Sequence, residues 1–145
     1  MDRMKPEAFI IDIDGTVALN GGRDYIDYSK VIQDEPSDNV IDILDQINWD
    51  YYVPIFVTGR NESCIDDTRT WINEYMDVGC CSNPYQLHMR PKNDRRPDCE
   101  LKKEIYDRFI KNNYKVVAVF EDRTRCVKMW REQGLTCLQV ADGNY

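Results

Sequence analysis

Short apolar runs alternate with segments of helical periodicity along most of this 145-residue chain. The runs predict five strands, which cover residues 8–13, 51–57, 85–89, 116–120 and 135–140. Helices are predicted to begin near Ser37, Asn61, Asp98 and Thr124, where a capping residue precedes apolar positions at helical spacing. Alternating strands and helices predict an α/β fold with a central parallel sheet.

The composition is typical of one soluble globular domain. Hydrophobic residues make up 42% of the chain and the length suits a single core, so we expect one domain over residues 1–145. No run approaches the ~18 apolar residues of a membrane span, and the first residues lack the pattern of a signal peptide. We therefore expect a cytoplasmic protein with no membrane partner. The net charge of −7 argues against non-specific wrapping of a nucleic-acid duplex, although a small anion-binding pocket stays compatible with it.

The cysteines and the single histidine give little support for zinc or thiol chemistry. The six cysteines are Cys64, Cys80, Cys81, Cys99, Cys126 and Cys137, and they form no C-x-x-C motif. Free thiols in a reducing compartment are the favoured interpretation. His88 would have to serve alone in any Ser-His-Asp or Cys-His scheme, which removes most of those mechanisms.

Polar side chains follow three of the predicted strands at the point where each apolar run ends. Asp12 and Asp14 come at the end of the first run, Thr58 and Arg60 follow the second, and Glu121 and Asp122 follow the fourth. Because the carboxyl ends of parallel strands meet at one edge of a sheet, we expect these side chains to lie together. Any one of them alone would be read as a turn or cap residue. Three successive strands ending this way instead predict a ligand site.

These motifs resemble those of the haloacid dehalogenase superfamily of phosphohydrolases. The matching residues are Asp12-x-Asp14-Gly15-Thr16, Thr58-Gly59-Arg60, Lys102 at a helix start, and Glu121-Asp122. The resemblance implies a three-layer, Rossmann-like fold and hydrolysis through an aspartyl-phosphate. It makes Asp12 the nucleophile and Asp14 the general acid and base. It also implies a Mg²⁺ site formed by Asp12, the backbone carbonyl of Asp14, and Asp122.

A narrower resemblance extends over essentially the whole chain. Residues 120–124, 127, 129–131, 134 and 139–141 look like the 3′-phosphatase domain of bacteriophage polynucleotide kinase–phosphatases. That family implies a substrate-binding set of Arg23, Thr58, Gly59, Arg60, Asp98 and Lys102. Glu121 departs from the family, which commonly has Asp there. No G-x-x-x-x-G-K-[ST] motif is present, so no kinase activity is expected from this sequence.

Residues 17–36 are predicted to form an irregular excursion that is too short for a large cap domain, which leaves the cleft open to a polymer end. We therefore expect a Mg²⁺-dependent phosphatase acting on the 3′-phosphate ends of DNA or RNA. The alternative is a phosphatase for free nucleotides or another small phosphoester. A non-catalytic module is disfavoured because Asp12 and Asp14 are both present. Whether a separate kinase or ligase takes part, and whether the chain forms a homo-oligomer, stays open.

Individual residues also have plainer interpretations. The plainer interpretation of Arg23 is a solvated loop arginine, which the family resemblance makes the less favoured one, and Asp98 is well placed to cap the third helix. The segment 90–96 is predicted to be a charged loop near the active edge, where contact with a substrate strand is an option. Tyr25 and Tyr28, on the excursion, are the preferred candidates for stacking on a base.

Overall fold

A computed structural model describes residues 4–24, 26–80 and 82–145, so Tyr25 and Cys81 lie outside the described residues. Its main sheet consists of five strands, β1 (Glu7–Ile11), β4 (Val53–Asn61), β5 (Gln86–Arg90), β6 (Lys115–Arg123) and β7 (Cys137–Gly143). The strands are parallel, and their order in the sheet is β5-β4-β1-β6-β7. The fold predicted from the sequence, an α/β domain with a central parallel sheet, is confirmed.

Helices cover both faces of this sheet and bury its apolar side chains. They are α1 (Asp38–Asp45), α2 (Ile65–Tyr75), α3 (Asp98–Ile105) and α4 (Thr124–Glu132), with 3₁₀ turns at Tyr28–Gln33 and Glu62–Cys64 and a π-helical turn at Tyr106–Ile110. Leu101 of α3 and Trp130 of α4 pack into one core, while Leu44 of α1 and Trp71 of α2 pack into the other. The result is a three-layer structure.

A small cap stands over the carboxyl edge of the sheet. It consists of β2 (Ala18–Leu19) paired antiparallel with β3 (Glu35–Pro36), together with the 3₁₀ turn between them. The indole nitrogen of Trp71 donates to the carbonyl of Asp34 at 2.8 Å, which fastens the cap to α2. The excursion predicted from the sequence is therefore a minimal cap.

The boundaries of the elements differ from the predicted ones mainly at the functional edge. β4 continues through Arg60 and β6 through Asp122, because their polar side chains find buried partners there. The capping role predicted for Asp98 is wrong: Pro97 is the N-cap residue, and Asp98 is the first residue of α3. In the part of the chain that the structure describes, no helix is long and apolar enough to cross a membrane.

Candidate active site

A cavity of ≈ 10 Å³ lies at the carboxyl ends of β1, β4 and β6. Such a space is on the scale of a single water molecule or ion. Its lining residues are Asp12, Asp14, Tyr28, Thr58, Gly59, Asp98, Lys102, Glu121, Asp122, Arg123 and Tyr145. Most of the predicted site residues therefore line one cavity. Arg23 and Arg60 do not line it, but both bind Asp14, which does.

A buried lysine lies between two carboxylates at the centre of the site. Lys102 Nζ, on α3, donates to Asp12 Oδ1 at 2.8 Å and to Glu121 Oε2 at 2.9 Å. The other oxygen of Glu121 accepts from the amide of Asp122 at 3.1 Å, and Trp130 donates to Glu121 Oε2 at 3.3 Å. Glu121 is thus occupied with protein donors, and its role here is to hold Lys102 against Asp12.

The acidic cluster carries more negative charge than Lys102 offsets. Burial, followed by repulsion from Glu121, raises the pKa of Asp12 to about 7. Burial, followed by repulsion from Asp12, raises the pKa of Asp122 to about 6. Burial works against the charge of Lys102, yet the carboxylates of Asp12 and Glu121 hold its pKa well above the usual value. Both acids would therefore be stabilised as anions by a further cation.

The donor set fits a hard divalent cation. One carboxylate oxygen from each of Asp12, Glu121 and Asp122 lies within 4.8 Å of the others. Carboxylate oxygens are the ligands that Mg²⁺ prefers. Gly15 lets the chain pass over this cluster, because a Cβ at that position would lie 2.1 Å from Asp122 Oδ2 and its φ is +83°. The cluster can therefore hold a metal ion, with Asp12 and Asp122 as the predicted side-chain ligands.

Asp14 is held by two arginines on the side away from the cluster. Arg60 donates to Asp14 Oδ2 through Nε at 3.0 Å and to Oδ1 through Nη2 at 2.8 Å, while Arg23 Nη2 reaches Oδ1 at 3.2 Å. The carboxylate of Asp14 is thus oriented by two hydrogen bonds from one guanidinium, a bidentate arrangement that fixes its geometry. Any contribution of Asp14 to a metal site is left to its backbone carbonyl, as the family resemblance implies.

Asp34, between the 3₁₀ turn and β3 of the cap, is a residue of this site that no sequence feature indicates. Its buried carboxylate accepts from Arg23 Nε at 2.7 Å and Nη2 at 3.0 Å, and from Arg60 Nη2 at 2.7 Å. Asp34 therefore joins the two arginines behind Asp14. No motif marks it, since its position follows only from the cap folding back onto α2.

Arg60 is fully buried, and Thr68 accepts from its remaining Nη1 group at 3.2 Å. The structure gives Arg60 a positioning role towards Asp14. Its direct contact with a substrate stays a prediction.

A second network positions Asp98 against the strand end of β4. Arg90 Nη2 donates to Asp98 Oδ1 at 2.5 Å, and Arg90 Nε donates to the carbonyl of Gly59 at 2.9 Å. Arg123 Nη1 lies 3.0 Å from Asp98 Oδ2. Gly59 is required here because a Cβ would lie 2.5 Å from Asp98 Oδ1. Arg90, which the sequence placed in a charged loop, is therefore a supporting residue of the site.

Comparison with known proteins agrees with this geometry. Residues 6–145 match the family model described as the polynucleotide kinase PNKP phosphatase domain. The chain belongs to this family. The membership confirms the resemblance that the motifs indicate.

A curated protein sequence and two solved structures match most of the chain. A protein of Autographa californica nuclear polyhedrosis virus, provisionally described as a bifunctional polynucleotide kinase/RNA ligase, is 37% identical over 129 residues, or 88% of this chain and 18% of the relative. The structure of the Pnkp1/Rnl/Hen1 RNA repair complex contains a chain with a TM-score of 0.88 and 34% identity, covering 97% of this chain and 44% of that one. A second structure of the Pnkp1/Rnl/Hen1 complex matches with the same TM-score and identity, covering 99% and 49%. The chain therefore spans less than half the length of these relatives.

Proposed function

We propose that this protein is a Mg²⁺-dependent polynucleotide 3′-phosphatase that works through an aspartyl-phosphate on Asp12. The observation that carries the proposal is the contact between Asp12 and Lys102 Nζ at 2.8 Å, inside an acidic cluster at the carboxyl edge of the sheet. A carboxylate held beside a buried cation suits nucleophilic attack on a phosphoryl group. Membership of the phosphatase-domain family supports the same reaction.

The reaction proceeds in two displacements. An oxygen of Asp12 attacks phosphorus, the bond from phosphorus to the 3′-oxygen breaks, and Asp14 gives its proton to that leaving oxygen. Water then attacks the phosphorus of the aspartyl-phosphate, and Asp14 takes back a proton. The products are a 3′-hydroxyl end and inorganic phosphate, and Asp12 returns to its starting state.

The surrounding residues bind and orient the reacting groups. Lys102 lies at hydrogen-bonding distance from Asp12 and is placed to bind a phosphoryl oxygen, as is the hydroxyl of Thr58, which lines the same cavity. A bound Mg²⁺ would offset the repulsion between the phosphate and the carboxylates of Asp12 and Asp122.

The arginines complete the arrangement. Arg60, Arg23 and Asp34 fix the carboxylate of Asp14 for proton transfer. Arg90 and Asp98 fix the end of β4 at Gly59.

The 3′-hydroxyl product of this reaction is the end that a nucleic-acid ligation step requires. Nucleic-acid ligases use a 3′-hydroxyl, so removal of a 3′-phosphate prepares an end for sealing. One relative is described as a bifunctional polynucleotide kinase/RNA ligase, and a similar structure is that of the Pnkp1/Rnl/Hen1 RNA repair complex. We propose that this chain likewise acts with kinase and ligase activities, supplied by other segments or other chains.

A substrate panel with Mg²⁺ tests the proposal. Matched oligonucleotides that carry a 3′- or a 5′-phosphate are compared with nucleoside 3′- and 5′-monophosphates, with phosphate release as the readout. We expect the 3′-phosphorylated oligonucleotide to be hydrolysed far faster than the other three. Equal rates on oligonucleotides and mononucleotides would instead indicate a phosphatase for small phosphoesters, and a preference for the 5′-end would contradict the proposal.

A further inference from the structure

Tyr145 separates the reaction cavity from a much larger space on the same edge of the sheet. This space, the outer groove, has a volume of ≈ 490 Å³ and runs between the cap and the end of β7. Its lining consists of Asp14, Gly15, Leu19, Asn20, Gly21, Arg23, Asp122, Ala141, Asp142 and Tyr145. Asp14, Asp122 and Tyr145 also line the reaction cavity. The two spaces therefore share a wall, in which Tyr145 is the aromatic member.

The ring of Tyr145 is held in this wall by several contacts. Its hydroxyl donates to Asp122 Oδ2 at 2.5 Å, and the guanidinium carbon of Arg123 lies 4.5 Å from the ring centroid. The end of β7, which leads to Tyr145, lies tightly against β6: a Cβ at Gly143 would come within 2.2 Å of the carbonyl oxygen of Asp122. Gln139 Nε2 also donates to that carbonyl at 3.0 Å. The ring is therefore fixed beside a predicted metal ligand.

The outer groove suits the uncharged part of a substrate. The reaction cavity, with space on the scale of one water molecule or ion, is far too small for a nucleoside, so the base and the sugar of a substrate must lie outside it. The groove falls within the usual range of ligand pockets, about 300–1,000 Å³. Three aspartates, Asp14, Asp122 and Asp142, line the groove together with one arginine, Arg23. This excess of negative charge would repel several successive phosphate groups of a nucleic-acid backbone. Leu19, which is 45% exposed, adds apolar surface. A base and its sugar fit this chemistry.

We propose that the outer groove binds the terminal nucleoside of the substrate, with its base stacked on the ring of Tyr145. This inference rests on the proposed function and names the part of the substrate that the site recognises. Aromatic stacking is tolerant of base identity and contributes about 1–3 kcal/mol per base. A guanidinium on the ring, as Arg123 provides, supports such an arrangement. Tyr145 thereby distinguishes a nucleic-acid end from a phosphoester that lacks a base.

Two substitutions of the same residue separate stacking from the contact with Asp122. Tyr145→Phe and Tyr145→Leu both remove the hydroxyl that donates to Asp122, and only Tyr145→Leu removes the ring. The readout is the ratio of kcat/KM for two 3′-phosphorylated oligonucleotides, which differ only in an abasic terminal residue. We expect Tyr145→Phe to keep the wild-type ratio, whereas Tyr145→Leu lowers it about 5- to 150-fold, the range expected for one stacked base.

Binding provides a second measurement that does not depend on turnover. An oligonucleotide with 2-aminopurine at its 3′-phosphorylated end is mixed with the Asp12→Asn protein, and fluorescence quenching reports stacking. Quenching is expected with Asp12→Asn alone and together with Tyr145→Phe or Tyr145→Trp, and it is expected to weaken together with Tyr145→Leu.

Three results would overturn the inference. Equal ratios in the wild type, Tyr145→Phe and Tyr145→Leu would overturn it while the phosphatase function stands. A fall in the ratio for Tyr28→Leu rather than Tyr145→Leu would place the base on the cap side of the cavity. Failure of the wild type to hydrolyse either oligonucleotide would refute the proposed function, and the inference with it.

Discussion

Asp12 carries the bond-forming step of the proposed reaction, and its environment makes an isosteric test available. An amide at this position keeps the shape of the side chain but supplies neither a nucleophilic carboxylate nor an anionic metal ligand. We expect Asp12→Asn to lower kcat about 1,000-fold or more, as is usual when a nucleophile is removed. Steady-state phosphate release measures this loss, and thermal unfolding checks that the fold is kept. Asp42→Asn, an exposed change on α1, is the matched control. Appreciable turnover by Asp12→Asn would exclude the aspartyl-phosphate route.

Arg23 is predicted to act through geometry rather than through charge alone. Its Nε and Nη2 groups both bind Asp34, and Nη2 also reaches Asp14. A lysine keeps the positive charge but has no planar pair of donors. We expect Arg23→Lys to lower kcat about 10- to 100-fold, since small displacements of a catalytic group have effects of that size. Glu35→Gln, an exposed change on the same cap, is the control, and equal kcat values for Arg23→Lys and wild type would contradict the positioning role.

The sequence predicts the residues that belong to a local motif and misses those that support them from a distance. Asp12, Asp14 and Thr58 could be predicted because each follows the apolar run of a strand, and Lys102 could be predicted from the family resemblance. Asp34 could not, because its importance arises only when the cap packs on α2 and brings it to Arg60, 26 positions away. Such a pairing leaves no trace in spacing or periodicity.

The same difference between local and long-range information appears in the secondary-structure elements. The five strands and the helices with apolar faces were predicted, and Trp71 and Trp130 are fully buried as their helical positions imply. The carboxyl ends of β4 and β6 were not predicted, because the apolar runs stop at Val57 and Phe120 while the two strands continue. Burial of polar strand ends depends on partners from other elements, which the pattern of one segment does not contain.

The close approach of β4 and α3 gives a prediction at this scale. A Cβ at Gly59 would meet the carboxylate of Asp98, which Arg90 and Arg123 prevent from moving aside. We expect Gly59→Ala to lower stability by about 1–3 kcal/mol, as overpacking does, and to lower activity strongly. Gly134→Ala is the control: no atom lies within 4 Å, and its φ of +83° imposes only backbone strain. Chemical denaturation should show similar losses of stability for Gly59→Ala and Gly134→Ala. Steady-state rates should show a loss of activity for Gly59→Ala alone. Full activity in Gly59→Ala would contradict the assigned role of this contact.

For the molecule as a whole, metal binding and folding are expected to be coupled. The folded protein brings Asp12 and Asp122 together, and the unfolded chain does not, so Mg²⁺ should bind the native state preferentially. At a concentration 100 times its dissociation constant, such a ligand adds about 2.7 kcal/mol to the free energy of unfolding. We expect EDTA to abolish activity and Mg²⁺ to restore it and to raise the melting temperature. Asp122→Ala should lose that rise while Asp142→Ala keeps it. Activity unaffected by the chelator would remove the metal from the mechanism.

The charge distribution of the whole molecule makes a prediction about salt. The net charge is −7, Arg90 at the end of β5 is bound to Asp94 and Asp98, and Arg96 is bound to Asp94 and Glu104. These two arginines are therefore engaged within the protein, and we expect recognition to rest mainly on the terminal phosphate and its nucleoside. A single-stranded ligand loses affinity with a slope of about −0.7 per neutralised phosphate on a log–log plot against salt. For about two phosphates, kcat/KM should fall about sevenfold between 50 and 200 mM salt. A nucleoside 3′-monophosphate, measured in parallel, corrects for salt effects on the chemical step. A corrected slope several times steeper would mean that a long stretch of backbone is bound, contrary to the short recognition surface that the structure indicates.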